Sequence, residues 1–230
     1  MPLLFHHPLC PHSRFVRLAL AEYGIEADLF EEKVHERRPD FLLIDPAGRT
    51  PVLVDEGGLV VPGAGPFAEW LDEAYGPRAP HTRLMPGDIA SRVETRRLMD
   101  WFNQKMFAEA TDWLVTQKIY KRFMPPGAGG GAPDMTLVRA ARANIRHHLA
   151  YIGFLVSERN WLAGSHMTYA DLAAAAHLSV ADYLGDVPWD DDEYAKAWYQ
   201  KIKSRPSFRA LLGDRVIGMT PSAIYADLDF

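Results

Sequence analysis

The sequence predicts a mixed α/β N-terminal domain over residues 1–76 and an all-α domain over residues 88–212. The first region alternates short apolar runs with helical patterns, whereas every long segment of the second has a helical apolar period. Between them, residues 77–87 carry three prolines and no periodicity, which is typical of a linker. Residues 213–230 also lack a helical period and are predicted to form a C-terminal tail.

The N-terminal elements are predicted in the order βαβ, then a loop, then ββα. An apolar strand precedes a helix that starts at about Pro11 and ends at Gly24. Two later strands flank the turn signal Asp55-Glu-Gly-Gly58 and pair as a hairpin. The predicted strands are 3–5, 27–34, 50–54 and 59–61, and the later helices are 39–44 and 66–75. This order matches a thioredoxin-like domain.

The second region reads as helices throughout. Apolar residues recur at helical spacing over 89–123 and 137–156, and the segments 193–203 and 206–212 add two shorter helices. Thr168 and Asp171 form a predicted capping box before an alanine-rich run that must be tightly packed. The glycine-rich stretch 125–133 lacks the Gly-Lys-Ser/Thr of a phosphate loop and is expected to be an inter-helix loop.

Composition excludes several classes of function. The 230 residues carry a formal net charge of −5, which argues against nucleic acid or an anionic membrane as the main partner. The single cysteine excludes intramolecular disulfides and a cysteine-built zinc site. No signal peptide or apolar run of about 20 residues appears, so we expect a cytoplasmic protein without membrane insertion.

That single cysteine, Cys10, follows a buried strand and precedes a helix. Backbone N–H groups and the helix dipole favour an anion there, so the layout suits a reactive thiol. Ser13 is at most a partner of the Cys-x-x-Ser kind, since a dithiol couple needs a second cysteine. His6, His7 or His12 is positioned to lower the pKa of the thiol. Neighbouring histidines at a strand end diverge, so no metal site is expected.

Four segments in order resemble the glutathione S-transferase (GST) superfamily over nearly the whole chain. They are 10–17 (Cys-Pro-His-Ser-Arg-Phe-Val-Arg), 45–53 (Asp-Pro-Ala-Gly-Arg-Thr-Pro-Val-Leu), 161–164 (Trp-Leu-Ala-Gly) and 205–208 (Arg-Pro-Ser-Phe). The resemblance implies an α/β plus all-α fold, with a thioredoxin-like N-terminal domain and a helical GST C-terminal domain. It also implies a glutathione cleft between them and a homodimer.

The resemblance assigns cleft residues and exposes one departure. Cys10 takes the family's catalytic position, and a cis bond at Pro51 is expected to turn the backbone of Val52 toward a peptide-like ligand. The family's acidic-Ser/Thr pair, which holds the γ-glutamyl end of glutathione, falls here at Gly63-Ala64. The whole stretch 59–67 lacks carboxylates and hydroxyls, at a cost of about 1–3 kcal/mol per unpaired ligand group.

We therefore expect a vestigial cleft at Cys10, Pro51, Val52, Gly63 and Ala64, with no catalytic residues and no cofactor. Under the enzymatic alternative, Cys10 with Ser13 acts on glutathione. The tail allows two interpretations. It is either a strap that buries Ile224, Tyr225 and Leu228, or a docking peptide. The docking residues would be Tyr225, Asp227, Leu228, Asp229 and Phe230.

Within the superfamily, the sequence most resembles GST-like cell-division factors that bind the tubulin-like protein FtsZ. That resemblance implies a non-enzymatic homodimer that binds FtsZ filaments, lies at the division site and promotes constriction, with other divisome proteins as further partners of the tail. Two alternatives stay open. One is a working glutathione S-transferase that uses Cys10, and the other is a cytoplasmic GST-like adaptor of unknown client.

Overall fold

The computed structural model describes residues 1–79 and 82–230. One four-stranded sheet is built in the order β2-β1-β3-β4. The strands are β1 Leu3–His6, β2 Asp28–Glu31, β3 Val52–Val54 and β4 Val60–Pro62. β1 runs parallel to β2 and antiparallel to β3, and β3 runs antiparallel to β4. This mixed sheet confirms the predicted fold class of the N-terminal region. Part of the predicted linker, Pro80 and His81, lies outside the described residues.

In the part of the chain that the structure describes, three α-helices belong to the N-terminal region, and the following region is built mainly from helices. The helices are α1 Pro11–Glu22, α2 Pro39–Ile44, α3 Ala64–Tyr75, α4 Ile89–Asp100, α5 Asp112–Val115, α6 Lys121–Phe123, α7 Met135–Glu158, α8 Tyr169–Tyr183, α9 Glu193–Lys203 and α10 Arg209–Leu212. Among the described residues, no helix is both long and apolar enough to cross a membrane.

The helix predicted over 89–123 is one continuous helical run that contains two π-helical segments. α4, α5 and α6 are joined by the π-helical segments Trp101–Thr111 and Thr116–Tyr120. A π-helix bonds residue i to i+5, so it turns more slowly than an α-helix and shifts the direction of later side chains. The first of these segments faces the candidate site.

Packing of α1 against α8 joins the two regions. Every residue of α8 is buried, and the four alanines 173–176 allow its backbone to approach α1 closely. The predicted capping box starts this helix. The Thr168 hydroxyl accepts the Ala170 N–H at 3.2 Å, and the Asp171 carboxylate accepts the Thr168 N–H at 2.9 Å. The site on α1 is therefore held by the core of the helical region.

The tail folds back over the helical region and is anchored by one buried tyrosine. Tyr225 is fully buried, and its hydroxyl donates to the Leu211 carbonyl oxygen at 2.8 Å. The strap interpretation is thus correct for Tyr225. It is wrong for Ile224 and Leu228, which remain 38% and 39% exposed because the tail's short turns present only one of these side chains to the core.

Candidate functional site

The thiol of Cys10 lies where the sequence places it, at the entrance of α1. Cys10 is the last residue before the helix and has an extended backbone, with φ −80° and ψ 117°. Pro11 opens the first turn, where a proline needs no N–H partner. The Cys10 side chain is 7% exposed, and its Sγ donates to the Thr50 carbonyl oxygen at 3.5 Å. The thiol therefore faces the loop that leads into β3.

His12 is the side chain that makes this thiol acidic. Its Nε2–H donates to the Asn103 carbonyl oxygen at 2.8 Å, which leaves Nδ1 for the thiol. Burial raises the pKa of the Cys10 thiol, but a hydrogen bond and charge from His12 and hydrogen bonds from Ser13 outweigh it and lower the pKa to about 7. Burial lowers the pKa of His12, yet Cys10 and Asn103 raise it overall. Each group therefore favours the charged form of the other, a thiolate beside an imidazolium.

An apolar cavity of about 430 Å³ opens beside this pair. Val34, Phe107 and Val115 supply apolar walls. The polar lining residues are His12, Arg49, Thr50, Asp112 and Tyr120. Burial raises the pKa of both the Asp112 carboxyl and the Tyr120 hydroxyl, and the nearby thiol adds to the effect on Tyr120. A reactive thiol with these walls fits a soft electrophile with an apolar part.

The other polar residues near the thiol also shape the turn around it. Ser13 is fully buried, and its hydroxyl accepts the His7 N–H at 3.3 Å, so it fixes the turn after β1. His6 and His7 are also buried, and this burial lowers the pKa of each to about 4. Within residues 1–79 and 82–230, no group of three His, Cys, Asp or Glu side chains is arranged to hold a metal ion.

A second cavity, of about 500 Å³, occupies the other half of the cleft and is lined by Gly63 and Ala64. Gly63 has φ +76° and no side-chain cap, so the first turn of α3 offers a ligand only backbone N–H groups. This agrees with the absence of side-chain partners in 59–67. The sequence did not reveal that Asp45 and Asp100 line the same cavity from other elements.

The expected role of Val52 is wrong. The Thr50–Pro51 bond is cis, as the resemblance implies. Val52, however, is fully buried in β3 and is paired with Phe5 on one side and Pro62 on the other. Strand pairing therefore occupies its backbone. Thr50, on the other side of the cis bond, lines both cavities instead.

Three site residues that the sequence analysis missed come from one helical run. Asn103, Phe107 and Asp112 face the first α1 turn, although they lie about 90 residues or more away in sequence. Their spacing of four and then five residues is the only signal in the sequence. It fits one face of a π-helical segment better than one face of an α-helix.

The predicted docking residues of the tail divide between core and surface. Tyr225 is buried, and Phe230 is half-buried with its ring 5.0 Å from that of Trp189. Asp227, Leu228 and Asp229 are exposed. A partner that approaches the folded tail therefore meets two carboxylates and a leucine, but it cannot reach the Tyr225 side chain.

A thiol before α1, a cis-proline loop beside it and a helical region packed on α1 define a class of protein. The chain belongs to the glutathione S-transferase family. Residues 4–79 match the family model described as "Glutathione S-transferase, N-terminal domain", and residues 111–206 match "Glutathione S-transferase, C-terminal domain".

Within that family, the chain is 44% identical to FtsZ-localized protein A of Caulobacter vibrioides over 99% of this chain and 97% of that protein. The solved structure of FzlA from C. crescentus superposes with a TM-score of 0.91 at 43% identity, covering 100% of this chain and 99% of that one. A crystal structure of a glutathione S-transferase from Sinorhizobium meliloti 1021 superposes with a TM-score of 0.97 at 52% identity, over the full length of both chains.

Proposed function

We propose that this protein is a non-enzymatic cell-division factor that binds FtsZ filaments and promotes constriction. The observation that carries the proposal is the 44% identity, over almost the whole of both chains, to a protein named for its localisation with FtsZ. The bare start of α3 at Gly63-Ala64 supports it, because the side chains that would hold the γ-glutamyl end of glutathione are missing there. The protein acts at the division site, in the cytoplasm.

The scaffold acts as a homodimer, so that each particle offers a filament two equivalent surfaces. The exposed part of the tail provides a second contact, for other divisome proteins. Asp227 and Asp229 suit a basic partner surface, and the exposed Leu228 suits a shallow apolar pocket. This contact leaves the buried Tyr225 in place, so it does not require the tail to unfold.

Co-pelleting tests the proposal directly. The purified protein is mixed with FtsZ and either GTP, which forms filaments, or GDP, and the mixture is centrifuged. We expect the protein in the pellet only with GTP and in proportion to the filaments. Absence of filament-dependent pelleting would contradict the proposal and leave the adaptor of unknown client as the better hypothesis.

A specific observation also supports a second function, a glutathione S-transferase that uses Cys10. The Cys10–His12 pair keeps the thiol acidic, and a solved relative at 52% identity is named a glutathione S-transferase. Retention on immobilised glutathione and turnover of a model electrophile test this function. Robust turnover that is abolished in Cys10→Ala would favour the enzyme over the division factor.

A further inference from the structure

A shallow groove lies outside the glutathione cleft, between the end of the long helical run and a turn of the tail. One wall is α6 with the following residue Met124, and the other is the turn at Ile217 and Gly218. The groove has a volume of about 630 Å³. The Arg122 guanidinium joins the walls, because its Nη1 donates to the Gly218 carbonyl oxygen at 2.8 Å. The groove is therefore a formed feature of two segments distant in sequence.

The groove exposes large apolar side chains that the core does not use. Phe123 is 47% exposed and Ile217 is 87% exposed. The residues on either side of this turn behave differently, because Val216 and Met219 pack against the buried cluster that includes Tyr225. Ile217 is thus held at the tip of an anchored turn. A contiguous exposed apolar patch with a polar rim is typical of a protein-binding site.

The charge of the groove is opposite to that of the whole chain. The chain carries a net charge of −5, yet the groove is lined by Lys121 and Arg122 and by no acidic side chain. Among the described residues, neither Lys121 nor Arg122 forms a salt bridge, which requires a carboxylate oxygen within 4.0 Å. Arg215, at the edge of the turn, forms none either. Cations beside exposed apolar groups complement an acidic, apolar segment.

We propose that this groove binds an acidic segment of a partner protein, with apolar side chains of the segment packed on Phe123 and Ile217. The inference rests on the proposed function, in which the partner is the FtsZ filament. It separates two surfaces by charge. The cationic groove meets an acidic partner, whereas the acidic tail, with Asp227 and Asp229, meets a basic one.

Two groove variants with matched controls test the proposal in the co-pelleting assay. We expect Arg122→Glu and Ile217→Asp each to weaken filament binding by about fivefold or more. Arg78→Glu and Leu43→Asp alter an exposed arginine and an 86% exposed leucine elsewhere and should leave binding within about twofold. All four sites are exposed, so the melting temperatures should stay close to that of the wild type.

The outcomes separate this inference from the proposed function. If the wild type co-pellets and both groove variants do so equally well, the groove is not the filament-binding surface and the inference is overturned. Loss of self-association in Ile217→Asp, measured by sedimentation velocity, would overturn it in favour of a second copy of this chain as the occupant. If the wild type does not co-pellet, the proposed function fails and a second probe decides about the groove.

That probe is a fluorescein-labelled peptide of alternating glutamate and leucine, compared with its lysine–leucine counterpart by fluorescence anisotropy. We expect the wild type to bind the acidic peptide at least about tenfold more tightly, with an affinity that falls as salt is added. Arg122→Glu should abolish this preference. Equal binding of the two peptides, or an unchanged preference in Arg122→Glu, would overturn the inference independently of FtsZ.

Discussion

The two halves of the cleft offer a ligand different groups. On one side, Cys10 is buried and lies at the N-terminus of α1. His12 and Ser13 lower the pKa of its thiol to about 7. On the other side, Gly63 and Ala64 give a ligand only the backbone of α3. The thiol depends on contacts that also stabilise α1, whereas the γ-glutamyl side chains would serve only a ligand. The acidic thiol therefore does not depend on the side chains at positions 63 and 64.

The largest expected effect is the loss of unfolding free energy at acid pH that buried histidines cause. Burial holds the pKa of His6 and His7, at the end of β1 in the thiol half of the cleft, at about 4, below the ordinary 6.5, and does the same for His148, which lies on α7 outside that half. At these three residues the unfolded chain takes up protons below about pH 6.5, whereas the folded chain does so only near pH 4. Their contribution to stability is therefore complete above pH 6.5 and falls by up to about 1.4 kcal/mol per pH unit per histidine toward pH 4.

Urea unfolding at pH 7.5 and near pH 5 measures this loss. His148→Gln should remove about one third of the slope contributed by the three histidines. A free energy of unfolding that stays constant over this range would show that the histidines are not buried and neutral. Gly63 and Ala64 themselves carry no titratable side chain and should contribute nothing to the slope.

Removing His12 is expected to have the next largest effect. In His12→Ala the burial of Cys10 is no longer opposed by the imidazole, so the pKa of the thiol should rise toward or above 9.0. Alkylation by iodoacetamide at pH 7 should slow by about tenfold or more, and the midpoint of its pH–rate profile should move upward. His166→Ala, an exposed histidine away from the thiol, is the control. An unchanged profile would show that the pair does not exist.

Adding one polar group at the start of α3 should strengthen glutathione binding in the other half of the cleft. Ala64→Ser places a hydroxyl at the family's γ-glutamyl position and should strengthen glutathione binding by about tenfold, which is one hydrogen bond to a charged group. Gly65→Ser is the matched control, since its added Cβ meets nothing within 4 Å and its hydroxyl lies one residue beyond that position. Equal gains in the two variants, measured by isothermal titration calorimetry, would contradict the assignment of Ala64.

The last comparison concerns the link between the tail and the thiol helix. Arg14 of α1 is fully buried and donates to the Tyr225 hydroxyl at 3.0 Å. Tyr225→Phe removes that acceptor, so it should cost about 1–2 kcal/mol of unfolding free energy. Asp227→Lys, on the exposed side of the tail, should change stability by less than about 0.5 kcal/mol while weakening partner binding. Thermal unfolding compares the two, and a larger loss in Asp227→Lys would reverse the assignment.

Local patterns were enough to predict the fold. Apolar periodicity and the glycine and proline breaks located the sheet, the long helical runs and the capping box at Thr168. A motif also located Cys10 and the cis bond at Pro51. The predicted direction of the Val52 backbone was wrong. Strand register decides this direction, and register depends on partners far away in sequence.

The rest of the site was hidden for a similar reason. Asn103 contacts His12 through its backbone carbonyl oxygen, and Asp112 lines the cavity beside the thiol. Both belong to the π-helical stretch or its end, and helical periodicity does not distinguish a π-helix from an α-helix. In the tail, the alternation of apolar and acidic residues suggested one buried face. Short turns instead bury Tyr225 and leave Ile224 and Leu228 outside.

Protection of Cys10 by a glutathione analogue tests the divided cleft most directly. The rate of alkylation by iodoacetamide is measured at pH 7 with and without millimolar S-methylglutathione, which has no free thiol to consume the reagent. We predict fast alkylation, owing to the pKa of about 7, and no protection, owing to the missing γ-glutamyl partners. Strong protection at this concentration would show that the site still binds glutathione and would contradict the account.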